Sequence, residues 1–118
     1  MIRWIFLLCL LPAMLAAQEI VPRDGDVLFD QTTLDTRLRG TTIRFFDDGQ
    51  SRFFEDGRYT YTYANEGGTG YGYFEVGENS TICIEFVTGF SRCDLYVTDS
   101  AGRLTVITTS GDRFPTRP

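Results

Sequence analysis

Glu75, Glu85 and Asp94 are the acids of this chain that fall inside runs of Ile, Val, Phe and Tyr rather than at Gly-marked turns. Two carboxylates held about 5 to 10 Å apart in a cleft can hydrolyse a glycosidic bond, so these three are the residues to weigh for hydrolytic chemistry. Glu85 alternates with Ile84 and Phe86 and points most simply to solvent; a buried one needs a partner such as Arg92. The pairs Asp47-Asp48 and Glu55-Asp56 stand beside Gly49 and Gly57, where acids are ordinary turn formers. The chain has no His and no Lys, which excludes Ser-His-Asp and Cys-His sites and lysine Schiff bases. Gly68 and Gly70 share the first spacing of a dinucleotide fingerprint, but position 73 is Tyr and no helix pattern follows. No cofactor is expected. Nor is a metal, since two mature cysteines without His make a poor zinc set and no run matches a calcium loop.

Binding chemistry rests on the tyrosines. Tyr59, Tyr61 and Tyr63 alternate along one segment and Tyr71 and Tyr73 along the next, as if adjacent strands carried a tyrosine ladder. Such pairs stabilise a sheet by about 0.2 to 1 kcal/mol each without any ligand. The same rings offer flat apolar surface with a hydroxyl, which suits a sugar, a peptide or a small apolar molecule, and these five are the candidate ligand-facing aromatics.

Residues 1–17 carry Arg3, then an apolar run of 14 residues from Trp4 to Ala17 broken only by Pro12, before the polar pair Gln18 and Glu19. A membrane span needs about 20 apolar residues, so the layout predicts a signal peptide cleaved near Ala17 and a periplasmic or extracellular mature chain with no membrane span. All sixteen acids and ten of the eleven arginines follow the cut, for a mature net charge of −6. That surface repels phosphate backbones, so nucleic acid is excluded as a partner. Cys9 leaves with the leader, and Cys83 and Cys93 remain as an even pair in an exported domain. Thr88-Gly89 lies midway between them. A hairpin turning there sets them opposite one another, within the reach of a disulfide.

These residues must be positioned by short elements. Residues 18–40 read as an extended lead-in and one short helix, capped by Thr32 or Thr33, carrying Leu34 and Leu38 and ended by Gly40. From residue 41 to 118, Gly-centred turns recur every eight to ten residues between β-rich runs. They predict strands at about 41–47, 50–55, 58–64, 70–76, 81–87, 91–98, 103–109 and 112–115. The fold class is mainly β: one domain over residues 18–118, an antiparallel meander of seven or eight strands closing as a small barrel or a sandwich. Closure follows because open sheet edges attract other chains. Arg44-Phe45-Phe46-Asp47-Asp48-Gly49 recurs as Arg52-Phe53-Phe54-Glu55-Asp56-Gly57, read as two hairpins with two-residue Asp-Gly turns. That register places 45 opposite 52 and 54 opposite 59, with Ile43, Phe45, Arg52, Phe54, Tyr59, Tyr61 and Tyr63 on one face and Ser51 and Phe53 on the other. Asn79-Ser80-Thr81 matches a glycosylation acceptor in a predicted turn.

The paired Phe-Phe-x-Asp-Gly turns, the strand Gly70-Tyr71-Gly72-Tyr73, Ile82-Cys83-Ile84 and the run from Gly89 to Tyr96 resemble a group of short, uncharacterised exported bacterial proteins. Some proteins of this appearance are labelled dihydrodipicolinate reductase, but this chain lacks that enzyme's nucleotide-binding unit and substrate domain. The resemblance brings a fold and no activity. The reading is a non-enzymatic binding or structural module with an unknown protein or small-molecule partner; the alternative is a small carboxylate-dependent hydrolase.

Overall fold

The computed structural model describes residues 20–118; the leader expected at residues 1–17 and its cleavage point lie outside them. The elements run β1 (Val27–Leu28), α1 (Gln31–Leu38), β2 (Thr42–Arg44), β3 (Gln50–Phe53), β4 (Arg58–Thr62), β5 (Thr69–Val76), β6 (Thr81–Phe86), β7 (Ser91–Thr98), β8 (Leu104–Ile107) and β9 (Arg113–Pro115). Strands β2 to β9 pair antiparallel in chain order, and β1 adds beside β7. The sheet curls into a half-barrel whose two edges touch: Phe45 bridges Thr116, and Arg117 N–H donates to the Arg44 carbonyl at 2.7 Å. A single curled sheet, with one short helix, therefore answers the choice between barrel and sandwich.

Helix α1 starts two residues earlier than its threonines suggest. The N-cap is Asp30, whose carboxylate accepts from Thr33 N–H at 2.8 Å. Asp30 lowers its own pKa by this bond to the backbone, and an acid there also faces the positive end of the helix. Leu34 and Leu38, four apart, are fully buried and enter the core with Phe53, Phe74 and Ile82. Burying each removes a side chain worth about 1.5 to 3 kcal/mol from water. Gln31 donates to the Val76 carbonyl and Arg39 to that of Glu55, so the helix plugs the end of the half-barrel where β3 and β5 finish.

The two Phe-Phe hairpins correct the expected register. Phe45 N–H bonds to the Gly49 carbonyl and Phe54 N–H to that of Arg58, so each loop has three residues, 46–48 and 55–57, instead of two. The left-handed residue is Asp48 (φ 70°) in the first and Gly57 (φ 94°) in the second, the arrangement of a type I turn followed by a bulge. The shifts at both turns exchange the faces of β3. Phe53 pairs with Tyr59, and Ser51 with Tyr61 and Ile43, putting Ser51 and Phe53 inside. Phe54 and Arg52 go outside instead, where the guanidinium groups of Arg52 and Arg58 lie 4.3 and 4.7 Å from the Phe54 ring centre.

Strand β7 is buried on both faces over Asp94–Val97. Tyr96 and Asp94 face inward, while Leu95 and Val97 face outward against Ile107 and are covered by Ile20 of the lead-in. Cys83 and Cys93 are directly opposed on β6 and β7 and form a disulfide with Cα atoms 4.0 Å apart. Cys93 lies exposed beyond the part of β7 that the lead-in covers, and Cys83 opposite it is half-buried.

Candidate functional site

In an antiparallel meander, alternate loops gather at opposite ends. Helix α1 and the loops after β3, β5 and β7 occupy one end, and the loops around residues 46–48, 63–68, 87–90 and 108–112 occupy the other. Inside the half-barrel, toward that second end, lies a cavity of about 380 Å³, near the lower limit for a small-molecule site. Its rim carries Tyr63, Phe90 and Phe114, which are exposed.

Two glycines of β5 let its neighbours approach closely beside the cavity, and Gly70 lines it. Gly70 and Gly72 of β5 lie opposite Tyr61 and Tyr59 in register, and Gly72 also faces Phe86. A Cβ on Gly72 would collide with the Glu85 carbonyl, and one on Gly70 would stand 3.2 Å from the Phe86 ring. The space goes to aromatic rings. Tyr59 meets Phe86 edge-on at 6.0 Å between ring centres, Tyr61 meets Tyr63 at 4.9 Å, and Phe86 stacks on Phe90 at 6.1 Å.

Three polar groups interrupt this apolar lining. Ser51 Oγ and Tyr59 Oη share a hydrogen bond of 2.7 Å. Arg92 grips Asp94 in a fork, Nε to Oδ2 at 2.8 Å and Nη2 to Oδ1 at 3.0 Å; Asp94 is buried and Arg92 partly exposed at the rim side. Tyr96, on the same inner face of β7, is 2% exposed and lines the cavity, and its hydroxyl has no protein hydrogen-bond partner among the described residues. No described buried side-chain atom cut off from solvent lacks a partner, so the Tyr96 hydroxyl opens onto the cavity. Burial pushes the phenols of Tyr59 and Tyr96 well above the ordinary tyrosine range, and Tyr61 upward as well, so all three are neutral donors at neutral pH. The Asp94 hydrogen bond raises Arg92 further above its already high value.

Of the five candidate tyrosines, Tyr59, Tyr61 and Tyr63 lie along the cavity; Tyr71 borders it from β5 with its side chain on the outer face, and Tyr73 is not part of its lining. They form no ladder. Register sets Tyr71 opposite Thr60 and Tyr73 opposite Arg58, on the outer face, while Tyr59 and Tyr61 meet the glycines inside. The three strand acids also part: Glu75 and Glu85 are exposed on the outer face, opposite Cys83 and Tyr73, and Asp94 stands inside opposite Ile82. Arg92 is partner to Asp94 rather than to Glu85. Asn79 is exposed in the β5–β6 turn at φ 56°. Asp94 is legible as a strand-borne acid, but its pairing with Arg92 and the inward place of Tyr96 are not, because Leu95 and Val97 look like the buried set. The trace of the three in the sequence is the alternation of a cation, an anion and a phenol along one strand.

Among the described residues no three His, Cys, Asp or Glu side chains stand close enough to hold a metal ion, and no helix is long and apolar enough to cross a membrane. Set against family models, curated proteins and solved structures, the chain matches none.

Proposed function

We propose that this protein is an exported binding module whose half-barrel cavity holds a small, largely apolar molecule. The observation that carries the reading is an aromatic-lined cavity of about 380 Å³ onto which the buried Tyr96 opens a hydroxyl that has no hydrogen-bond partner among the described residues. A lining of Tyr, Phe, Ile and Val with a few converging polar groups is the usual make-up of a small-molecule site. Holding rather than hydrolysing is favoured because Asp94 commits both oxygens to Arg92, and Glu75 and Glu85 face away from it. The Cys83–Cys93 disulfide supports an oxidising compartment, in keeping with the leader-like residues 1–17.

The test is a fluorescence titration of the oxidised protein with N-phenyl-1-naphthylamine, an uncharged dye that brightens in apolar surroundings. A saturable rise at one dye per chain is expected. A rise that never saturates, or none at all, rejects the cavity as a binding site.

A further inference from the structure

We infer that the ligand is uncharged, an apolar body carrying a hydroxyl or carbonyl that reaches Tyr96. The inference deepens the binding reading and rests on it. Its basis is the charge already present at the site. A buried charge is tolerated only when an opposite charge meets it, and among the described residues lining the cavity the one cation, Arg92, is held bidentately by Asp94. A carboxylate or phosphate entering the cavity must therefore break that fork or lie beside the Asp94 carboxylate, with Asp47 a second negative charge among the lining residues. An ammonium faces the Arg92 guanidinium in turn. The ion pair as a whole is neutral.

What the site still offers are unused neutral or shared donors. A guanidinium has five N–H groups, and the fork to Asp94 uses two of those on Arg92. Tyr96 adds one O–H, kept protonated by burial, and Tyr59 and Ser51 already satisfy each other. Donors without competing acceptors select an oxygen acceptor on the ligand, and a hydroxyl or carbonyl supplies one without bringing charge. Tyr61 and Phe86 then hold the apolar part.

The experiment compares three probes sharing one ring system, at neutral pH on the native oxidised protein: naphthalene, 2-naphthol and ionised 2-naphthoate, each displacing N-phenyl-1-naphthylamine. We expect 2-naphthol to bind at least about tenfold tighter than 2-naphthoate, because the anion finds no free cation. We also expect Tyr96→Phe to weaken 2-naphthol by about 2- to 12-fold, the worth of one hydrogen bond, and to leave naphthalene unchanged. Unchanged naphthalene binding doubles as evidence that the variant keeps its cavity. Equal or tighter binding of 2-naphthoate overturns the inference, as does a Tyr96→Phe protein that binds 2-naphthol like the parent. If the dye binds and the charge preference is reversed, the binding reading stands and only the ligand class fails. If neither dye nor probe binds, the binding reading itself fails.

Discussion

Arg113 and Asp26, 87 residues apart, meet in a two-bond ion pair, Nη1 to Oδ2 and Nη2 to Oδ1, each at 2.8 Å. Their side chains are 15% and 2% exposed, and Asp26 also accepts from Arg23 N–H. The pair fastens the lead-in to β9, so the segment covering the outer face of β7 is held at both of its ends.

Breaking that pair from one side should destabilise the fold. Arg113→Ala leaves a buried carboxylate with only the Arg23 amide, and we expect a loss of about 2 to 3 kcal/mol, below the full penalty for a deep pair because Arg113 keeps some solvent. The urea midpoint of unfolding measures it. A change under about 0.5 kcal/mol would show that the lead-in is not held by this contact.

The same pair predicts an acid limb. The Arg113 hydrogen bond holds the Asp26 carboxyl below its ordinary value, and an unfolded aspartate titrates near about 3.9. A lowered folded pKa stabilises above the unfolded value and loses that contribution as pH falls through the folded one. Asp35 and Asp99, lowered by Arg39 and by the Arg103 backbone, act in the same sense. Stability should therefore hold from neutral pH down to about 4 and fall below it, with a shallower fall in Asp26→Asn. An identical slope in the variant would assign the limb to other carboxylates.

At the alkaline end the sign is reversed. Tyr59 and Tyr96 have raised folded pKa values because burial disfavours the phenolate, so their contribution is complete below the unfolded tyrosine value of about 10 and declines as pH rises past it. Ultraviolet titration should show two phenols per chain that ionise only together with the loss of native structure. Ionisation of all six tyrosines in a still-folded protein would contradict their burial.

The disulfide should leave no titratable thiol in denatured, unreduced protein prepared without residues 1–17. Replacing both Cys83 and Cys93 with Ala should cost about 2 to 3 kcal/mol, from the freedom a loop of this size restores to the unfolded chain. The β6–β7 register should survive, because the backbone pairing from Thr81↔Leu95 to Glu85↔Ser91 does not depend on the bond. Thermal unfolding of the parent and the double variant gives the difference.

Gly72→Ala and Gly70→Ala should separate fold from site. At Gly72 the added carbon meets the Glu85 backbone, which cannot move without breaking the β5–β6 ladder, and a loss of roughly 1 to 3 kcal/mol is expected. At Gly70 it meets the edge of the Phe86 ring, which can shift by a few tenths of an ångström. That variant should keep its melting temperature within a few degrees while binding the dye more weakly.

The sequence made the strands legible because their punctuation is local. Gly and Asp mark each turn, and the expected and observed strands from β4 to β9 agree to within about two residues at each end. Faces were harder to read, since side-chain alternation is only as good as the loop count that sets it. The three-residue loops at 46–48 and 55–57 together send Phe54 out and Phe53 in. On β7 the apolar positions Leu95 and Val97 belong to the outer face, which Ile20, 75 residues before Leu95, covers. No local pattern carries that information. Hence Tyr59, Tyr61 and Asp94 were visible as candidates, while the pairing of Arg92 with Asp94 and the place of Tyr96 beside them emerged only once the inner face of β7 was known.

The seam between Phe45 and Thr116 sets the order in which the chain completes itself. Each neighbouring pair from β2–β3 to β8–β9 joins strands that follow one another, so it can zip as soon as its second strand is available. The seam differs: Arg117 reaches back to the Phe45 carbonyl across 72 residues and also grips Asp48. During synthesis or threading, therefore, β2 must wait with an open edge while all the others form. Arg117 acts as the latch of a wall built in sequence, and the interval before it engages is when the growing sheet is most open to pairing with a stranger.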